Sequence, residues 1–149
     1  IQVARQDKDD VLIGLLDERG QERGIIFTRT KAGAQKLTKS LKEEGFSVDA
    51  LEGNMQQRDR EKVMRAFKKG TLQYLVSTDV SARGIDVNNL AFVIHYQLPE
   101  SLAYYTHRSG RTARGGNSGI SLALILPHEL PQLKEIEQSL DIKFKERVR

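Results

Sequence analysis

The 149-residue chain contains no cysteine. Disulfides, thiolate metal sites and cysteine nucleophiles are therefore excluded. The absence agrees with a reducing compartment, and a cytoplasmic location is expected. No apolar run approaches the roughly 20 residues that cross a bilayer, so no membrane partner is expected. The opening "IQVARQDKDD" lacks the basic-then-apolar order of a secretory signal. It begins with Ile1 rather than Met, which leads us to expect a piece of a longer chain. Low-complexity tracts and internal repeats are missing as well.

Other absences concern chemistry. There is no GxxxxGK[ST] loop, so nothing cradles a nucleotide β-phosphate in the P-loop manner. No Asp-Glu pair follows an apolar strand in a way that would hold Mg²⁺. His95 and His128 have no metal-ligand partners at the usual spacing and read as structural, so no metal site is expected. Without a G-x-S-x-G elbow, a Ser-His-Asp hydrolase is not supported.

What is present begins with charge. Lys and Arg number 24 against 20 Asp and Glu, a net charge of +4. A basic balance favours a polyanionic partner, although a mild excess also suits a solvated surface. The length suits one domain with one core.

Short apolar runs alternate with helical patterns. "RGIIFT", Arg23 to Thr28, reads as a buried strand. Lys31 to Glu44 reads as a helix, with Ala34, Leu37 and Leu41 on one face and Gly45 as its cap. "FSVDAL" is the next strand. "QQRDREKVMRAFKKG" is a helix that turns Val63, Met64 and Phe67 inward and stops at Gly70. "LQYLVSTD", "LAFVIHYQ" and "GISLALIL" are three more strands. Pro99-Glu100-Ser101 opens a further helix, with Ser101 as its N-cap. Leu133, Ile136 and Leu140 mark a closing helix, and Val11, Leu12, Leu15 and Leu16 a leading one. Continuous apolar strands separated by helices imply an α/β fold with a mostly parallel sheet covered on both faces. Function in such sheets gathers at the carboxyl ends of the strands. The informative loops then follow Phe27, Leu51, Val76 and Tyr96.

Four segments stand out at those places. "YYTHRSGRTARGG" gathers His107, Arg108, Arg111 and Arg114, and Glu100 is the only carboxylate between Leu98 and His128. On a helix His107, Arg111 and Arg114 share one stripe, where like charges repel mildly unless an anion meets them. Arginine suits phosphate because its planar fork donates two parallel hydrogen bonds. A solvated basic helix is the plain alternative. "STDVSARGIDV" crowds Thr78, Asp79, Ser81, Arg83, Gly84 and Asp86 into one strand-end turn. Hydroxyls and amides there can hold phosphate oxygens, and a carboxylate can accept from a ribose hydroxyl; an ordinary capped turn explains it equally. Gln57 and Arg60 stand near a helix start, where dipole and guanidinium both favour an anion, or merely form local ion pairs. Thr28, Arg29 and Thr30 can hold a phosphate or simply cap the helix that follows.

Taken in order, these segments resemble the second RecA-like domain of DEAD-box RNA helicases. "GIIFTRTK" is similar to that family's motif IV, "GNMQQRDREKVMRAFKKG" to its Gln-x-x-Arg pattern, "LVSTDVSARGIDV" to motif V and "YYTHRSGRTARGG" to motif VI. The resemblance covers nearly the whole chain and implies a RecA-like three-layer α/β/α sandwich, one domain over residues 1–149, cut from a two-domain ATP-dependent RNA helicase. It implies RNA contacts at Gln57, Arg60 and Thr78, with Thr28 and Arg29 of motif IV beside them. It places Gly84 and Asp86 near the ATP ribose and Arg111 and Arg114 at the γ-phosphate, Arg114 as the arginine finger. His107, Arg108 and Arg83 would couple this domain to the N-terminal RecA-like domain, which would bring the P-loop and Mg²⁺. Glu52 stands where the family often has His, and adds local repulsion near an RNA path. Ala113 replaces a frequent Gly and leaves Arg114 its aim. A DNA-acting helicase of the same superfamily, or a non-enzymatic RecA-like interaction module, are the alternatives.

Overall fold

The computed structural model describes residues 7–20, 22–51, 55–78, 92–98 and 120–140. Within them lie four α-helices and five strands. They run α1 (Lys8–Arg19), β1 (Gly24–Thr28), α2 (Lys31–Glu43), β2 (Val48–Leu51), α3 (Gln57–Lys69), β3 (Tyr74–Thr78), β4 (Phe92–His95), β5 (Ile120–Ala123) and α4 (Leu130–Leu140), the last preceded by a 3₁₀ turn at Pro127–Glu129. The expected elements at these places are all found, each strand a residue or more shorter than its apolar run. The helix expected to open at Ser101 lies outside the described residues.

The sheet order is β2-β3-β1-β4-β5 and every pairing is parallel. Continuous apolar character is what such a sheet demands, because both faces are covered. Ile25 and Phe27 of β1, with Leu75 and Val93, pack against Val63 and Phe67 of α3. Ile26, one residue on, joins Val76 and Ile94 on the opposite face, against α1 and α2 through Leu12, Leu16, Leu37 and Leu41. Ile136 of α4 packs on Ala123, which pairs with His95 beside Val93, so α4 shares the face of α3. The result is the three-layer sandwich that the apolar runs imply.

Two glycines end helices as their positions require. Gly45 takes a φ of 91° after α2, and Phe46 N then donates to Leu41 O at 3.1 Å, closing the helix end. Gly70 adopts the left-handed conformation at φ 86° after α3. Gly24 has a different duty. It lies between Tyr74 of β3 and Phe92 of β4 in register, and a Cβ there would overlap the Phe92 ring. The missing side chain lets the two rings meet across β1, with centroids 6.0 Å apart. This stack fills the amino edge of the sheet and leaves the carboxyl edge to polar loops.

Candidate nucleic-acid interface

Because all pairings are parallel, the carboxyl ends of the five strands share one edge. Thr28 ends β1 and Thr78 ends β3, and the two are direct partners in register. The chain then needs only Arg29 and Thr30 to enter α2. Thr30 is its N-cap: backbone extended, side-chain oxygen accepting from Gly33 N at 3.0 Å. A Cβ on residue 33 would stand 2.9 Å from that oxygen, so glycine permits the close cap. Of the two roles open to Thr30, the structure realises the cap.

Thr28 is fully buried, and its hydroxyl donates to Thr30 O at 3.1 Å, so it serves the turn itself. Arg29 is exposed but held at two points. Its backbone N–H donates to Gln97 Oε1 at 2.8 Å, and its Nε donates to Leu98 O at 2.6 Å. These bonds tie the turn after β1 to the exit of β4.

Gln57 and Arg60 occupy the first turn of α3. The residue before, Gln56, is extended and makes no side-chain cap. The first-turn amides and the helix dipole thus face outward and favour negative charge. Gln57 is exposed, and its Nε2 donates to Glu61 Oε1 at 3.3 Å along the helix. Arg60 is half-buried. Val63 and Phe67 are the residues of α3 that are buried, and they fix its aim. The Arg23 guanidinium lies 4.6 Å from the centre of the Phe67 ring on the α3 side, and burial pulls it below the usual arginine range.

A clasp closes the other side of the edge. Lys8, at the start of α1, is buried, and its ammonium donates to Tyr96 O and lies 5.0 Å from the centre of the Tyr96 ring. The Tyr96 hydroxyl donates to Asp9 Oδ1. Burial, then this bond and the Asp9 charge, push the Tyr96 hydroxyl well above the usual tyrosine range.

The structure therefore gathers Thr28, Arg29, Thr78, Gln57 and Arg60 on one edge. Thr28 and Thr78 touch through the strand ladder, and Gln57 and Arg60 follow the neighbouring strand β2. Arg83, Gly84, Asp86, His107, Arg108, Arg111 and Arg114 lie outside the described residues, as does Glu52. The loop after Tyr96 stands out in the sequence; the contacts of Lys8, Tyr96 and Gln97 do not. Their roles depend on partners 68 and more residues away, and no local pattern signals them. Among the described residues no group of three or more His, Asp or Glu side chains is placed to hold a metal ion, and no helix is long and apolar enough to cross a membrane. His95 is buried in β4, whereas His128 is exposed on the 3₁₀ turn rather than packed.

The helicase conserved C-terminal domain family matches residues 7–116. The DEAD-box ATP-dependent RNA helicase CshA of Bacillus cereus is 38% identical over 144 residues, 97% of this chain and 27% of its own length. The chain thus spans about a quarter of the length of this curated relative. The crystal structure of the E. coli DEAD-box protein SrmB, bound to regulator of ribonuclease activity A, superposes with a TM-score of 0.91 at 31% identity, covering 99% of this chain and 88% of that one. S. cerevisiae Dbp5 bound to RNA and ADP BeF3 gives a TM-score of 0.89 at 33% identity, over 96% of this chain and 38% of that one.

Proposed function

The chain belongs to the DEAD-box RNA helicases, as their helicase C-terminal domain, and on that premise we propose that it is the RNA-backbone-binding and ATP-completing half of an ATP-dependent RNA helicase. The observation that carries this reading is the shared edge. Gln57 and Arg60, on a helix start without a side-chain cap, stand one strand away from Thr78. Phosphate needs amide and guanidinium donors, and a strand-end hydroxyl adds a third kind. Contacts of this type follow the sugar-phosphate chain and carry little sequence preference. Thr28 takes part through the turn it braces, and Arg29 through the position of that turn.

ATP enters this reading through the partner domain. The N-terminal RecA-like domain of the same longer protein holds the triphosphate and Mg²⁺. Asp86 and Gly84 meet the ribose, and Arg111 and Arg114 reach the γ-phosphate. Such an arginine contributes about 10³ to 10⁵ in rate. His107, Arg108 and Arg83 link closure of the two domains to RNA on the edge. The lack of cysteine accords with the cytoplasm as the place of work.

The test uses the full-length protein. Arg114→Ala is expected to abolish RNA-stimulated ATP hydrolysis and leave the fold intact; undiminished turnover would overturn the arginine-finger assignment. RNA should stimulate hydrolysis and DNA of the same sequence should not, since the 2′-hydroxyl distinguishes them. Equal stimulation would favour a DNA-acting enzyme. The 149-residue chain alone is expected to hydrolyse no ATP and to bind RNA only weakly.

A further inference from the structure

The carboxyl edge of the sheet has two halves. The residues read as RNA-facing occupy the ends of β2, β3 and β1. The other half, over the ends of β1, β4 and β5, encloses a cavity of about 320 Å³ whose walls include Lys8, Arg29, Tyr96, Gln97, His128 and Glu129. Arg29 stands at the boundary and belongs to both halves, while nothing in the second requires the RNA-facing reading of Gln57, Arg60 and Thr78.

The wall chemistry is specific. Lys8 is 6% exposed, and its ammonium is fixed by the Tyr96 carbonyl and ring, a positive charge built into the wall. Arg29 is held by its backbone N–H and its Nε, while its two Nη groups have no partner among the described residues. The exposed His128 ring likewise has none. Against these donors stands one carboxylate among the lining residues. Glu129 accepts from Leu126 N at 2.7 Å through Oε1, and its Oε2 has no partner among the described residues.

A guanidinium held in place and offering a pair of parallel donors is suited to a phosphate. A carboxylate oxygen across the same small cavity repels a bare phosphate but accepts from a ribose hydroxyl. A ligand that carries both groups satisfies both walls, and a volume near the lower end of the usual range of about 300–1,000 Å³ for small-molecule sites admits one such unit. We propose that this cavity binds the phosphoribosyl part of a single nucleotide, with the phosphate on Arg29 and His128 and a ribose hydroxyl on Glu129. The nucleotide comes either free or as one residue of an RNA strand.

The experiment titrates the ¹⁵N-labelled chain with adenosine 5′-monophosphate, inorganic phosphate and a single-stranded RNA oligonucleotide, and follows amide shifts. The monophosphate is expected to move the Arg29, Gln97, His128 and Glu129 signals saturably, and to leave those of Gln57 and Arg60 in place. Arg29→Gln and His128→Asp should each weaken it about ten- to a hundredfold, the worth of a charge-assisted hydrogen bond. Glu129→Gln keeps an oxygen for Leu126 N; it should weaken the monophosphate and tighten inorganic phosphate. Circular dichroism checks that each variant is folded. RNA moving the same four signals in competition with the monophosphate identifies a strand residue, and no response to RNA identifies a free nucleotide; both support the site. Inorganic phosphate binding as tightly as the monophosphate, which means an adventitious ion only, overturns it. So does the absence of saturable shifts at the four residues, an outcome that leaves the Gln57 and Arg60 response to RNA untouched.

Discussion

The backbone N–H of Arg29 donates to the side-chain oxygen of Gln97 across 68 residues of sequence, at 2.8 Å. The bond joins the turn after β1 to the end of β4. Gln97→Ala removes the acceptor and is expected to lower stability by about 1 kcal/mol, the net worth of an ordinary intramolecular hydrogen bond. Gln97→Glu retains an acceptor and should recover part of the loss. Urea denaturation of the three proteins measures both effects.

Gly24 admits no side chain. Phe92 is fully buried over it, and an added Cβ would stand 2.2 Å from its ring. Gly24→Ala is expected to cost about 3 kcal/mol, the upper end for overpacking a well-filled core. A second change, Phe92→Leu, should restore part of it, because the smaller side chain clears the new methyl. Thermal melting of single and double variants tests the coupling.

Phe67 anchors the helix that carries Gln57 and Arg60. Phe67→Ala should destabilise the chain by about 3–5 kcal/mol through the cavity it leaves. Phe67→Leu should fold, yet weaken RNA binding more than its loss of stability accounts for, since α3 then loses its aim. Comparing RNA affinity with denaturation midpoints separates the two effects.

Arg60→Ala, under the RNA-backbone reading, removes one phosphate contact. It should weaken RNA of any sequence to a similar degree and reduce the salt slope of log affinity by about 1. Affinity measured at several salt concentrations on two unrelated oligonucleotides is the check. An unchanged slope would remove Arg60 from the interface.

Tyr96 makes a pH prediction. Its hydroxyl is held above the ordinary value of 10.0 in the folded chain, by burial first and by Asp9 second. The unfolded chain thus releases this proton at lower pH than the folded one. The stabilising contribution is fully present below about pH 10 and declines as the pH rises beyond it. Denaturation midpoints should fall above pH 10, and Tyr96→Phe should flatten the fall while lowering stability at neutral pH through the lost bond to Asp9.

The fold was legible where the pattern is local. Ile25, Ile26 and Phe27 in succession are apolar because one strand is covered on both faces, and Gly45 and Gly70 stop helices at the positions their conformational freedom suits. Ala34, Leu37 and Leu41 repeat at the helical period and are all buried. The site was legible in part. The order of Gln57, Arg60 and Thr78 along the chain placed them at helix start and strand end. Lys8 was not legible: it sits among acidic neighbours in "DKDD" and reads as solvated, yet its stem is buried because a carbonyl 88 residues away receives its ammonium. Arg29 shows the same limit. A run of Thr-Arg-Thr says that a turn follows a strand, and says nothing of the Leu98 carbonyl that holds the guanidinium.

The ring pair over Gly24 belongs to the opposite edge of the sheet from Thr28, Arg29, Thr78, Gln57 and Arg60. Substitutions at one edge therefore have little reason to disturb the other. Loops at the carboxyl ends are free to lengthen, change charge or be exchanged with those of a related chain, while Tyr74, Phe92 and Gly24 keep the strands in register. The sheet behaves as a chassis, and the domain should accept new recognition loops by grafting with its stability largely conserved.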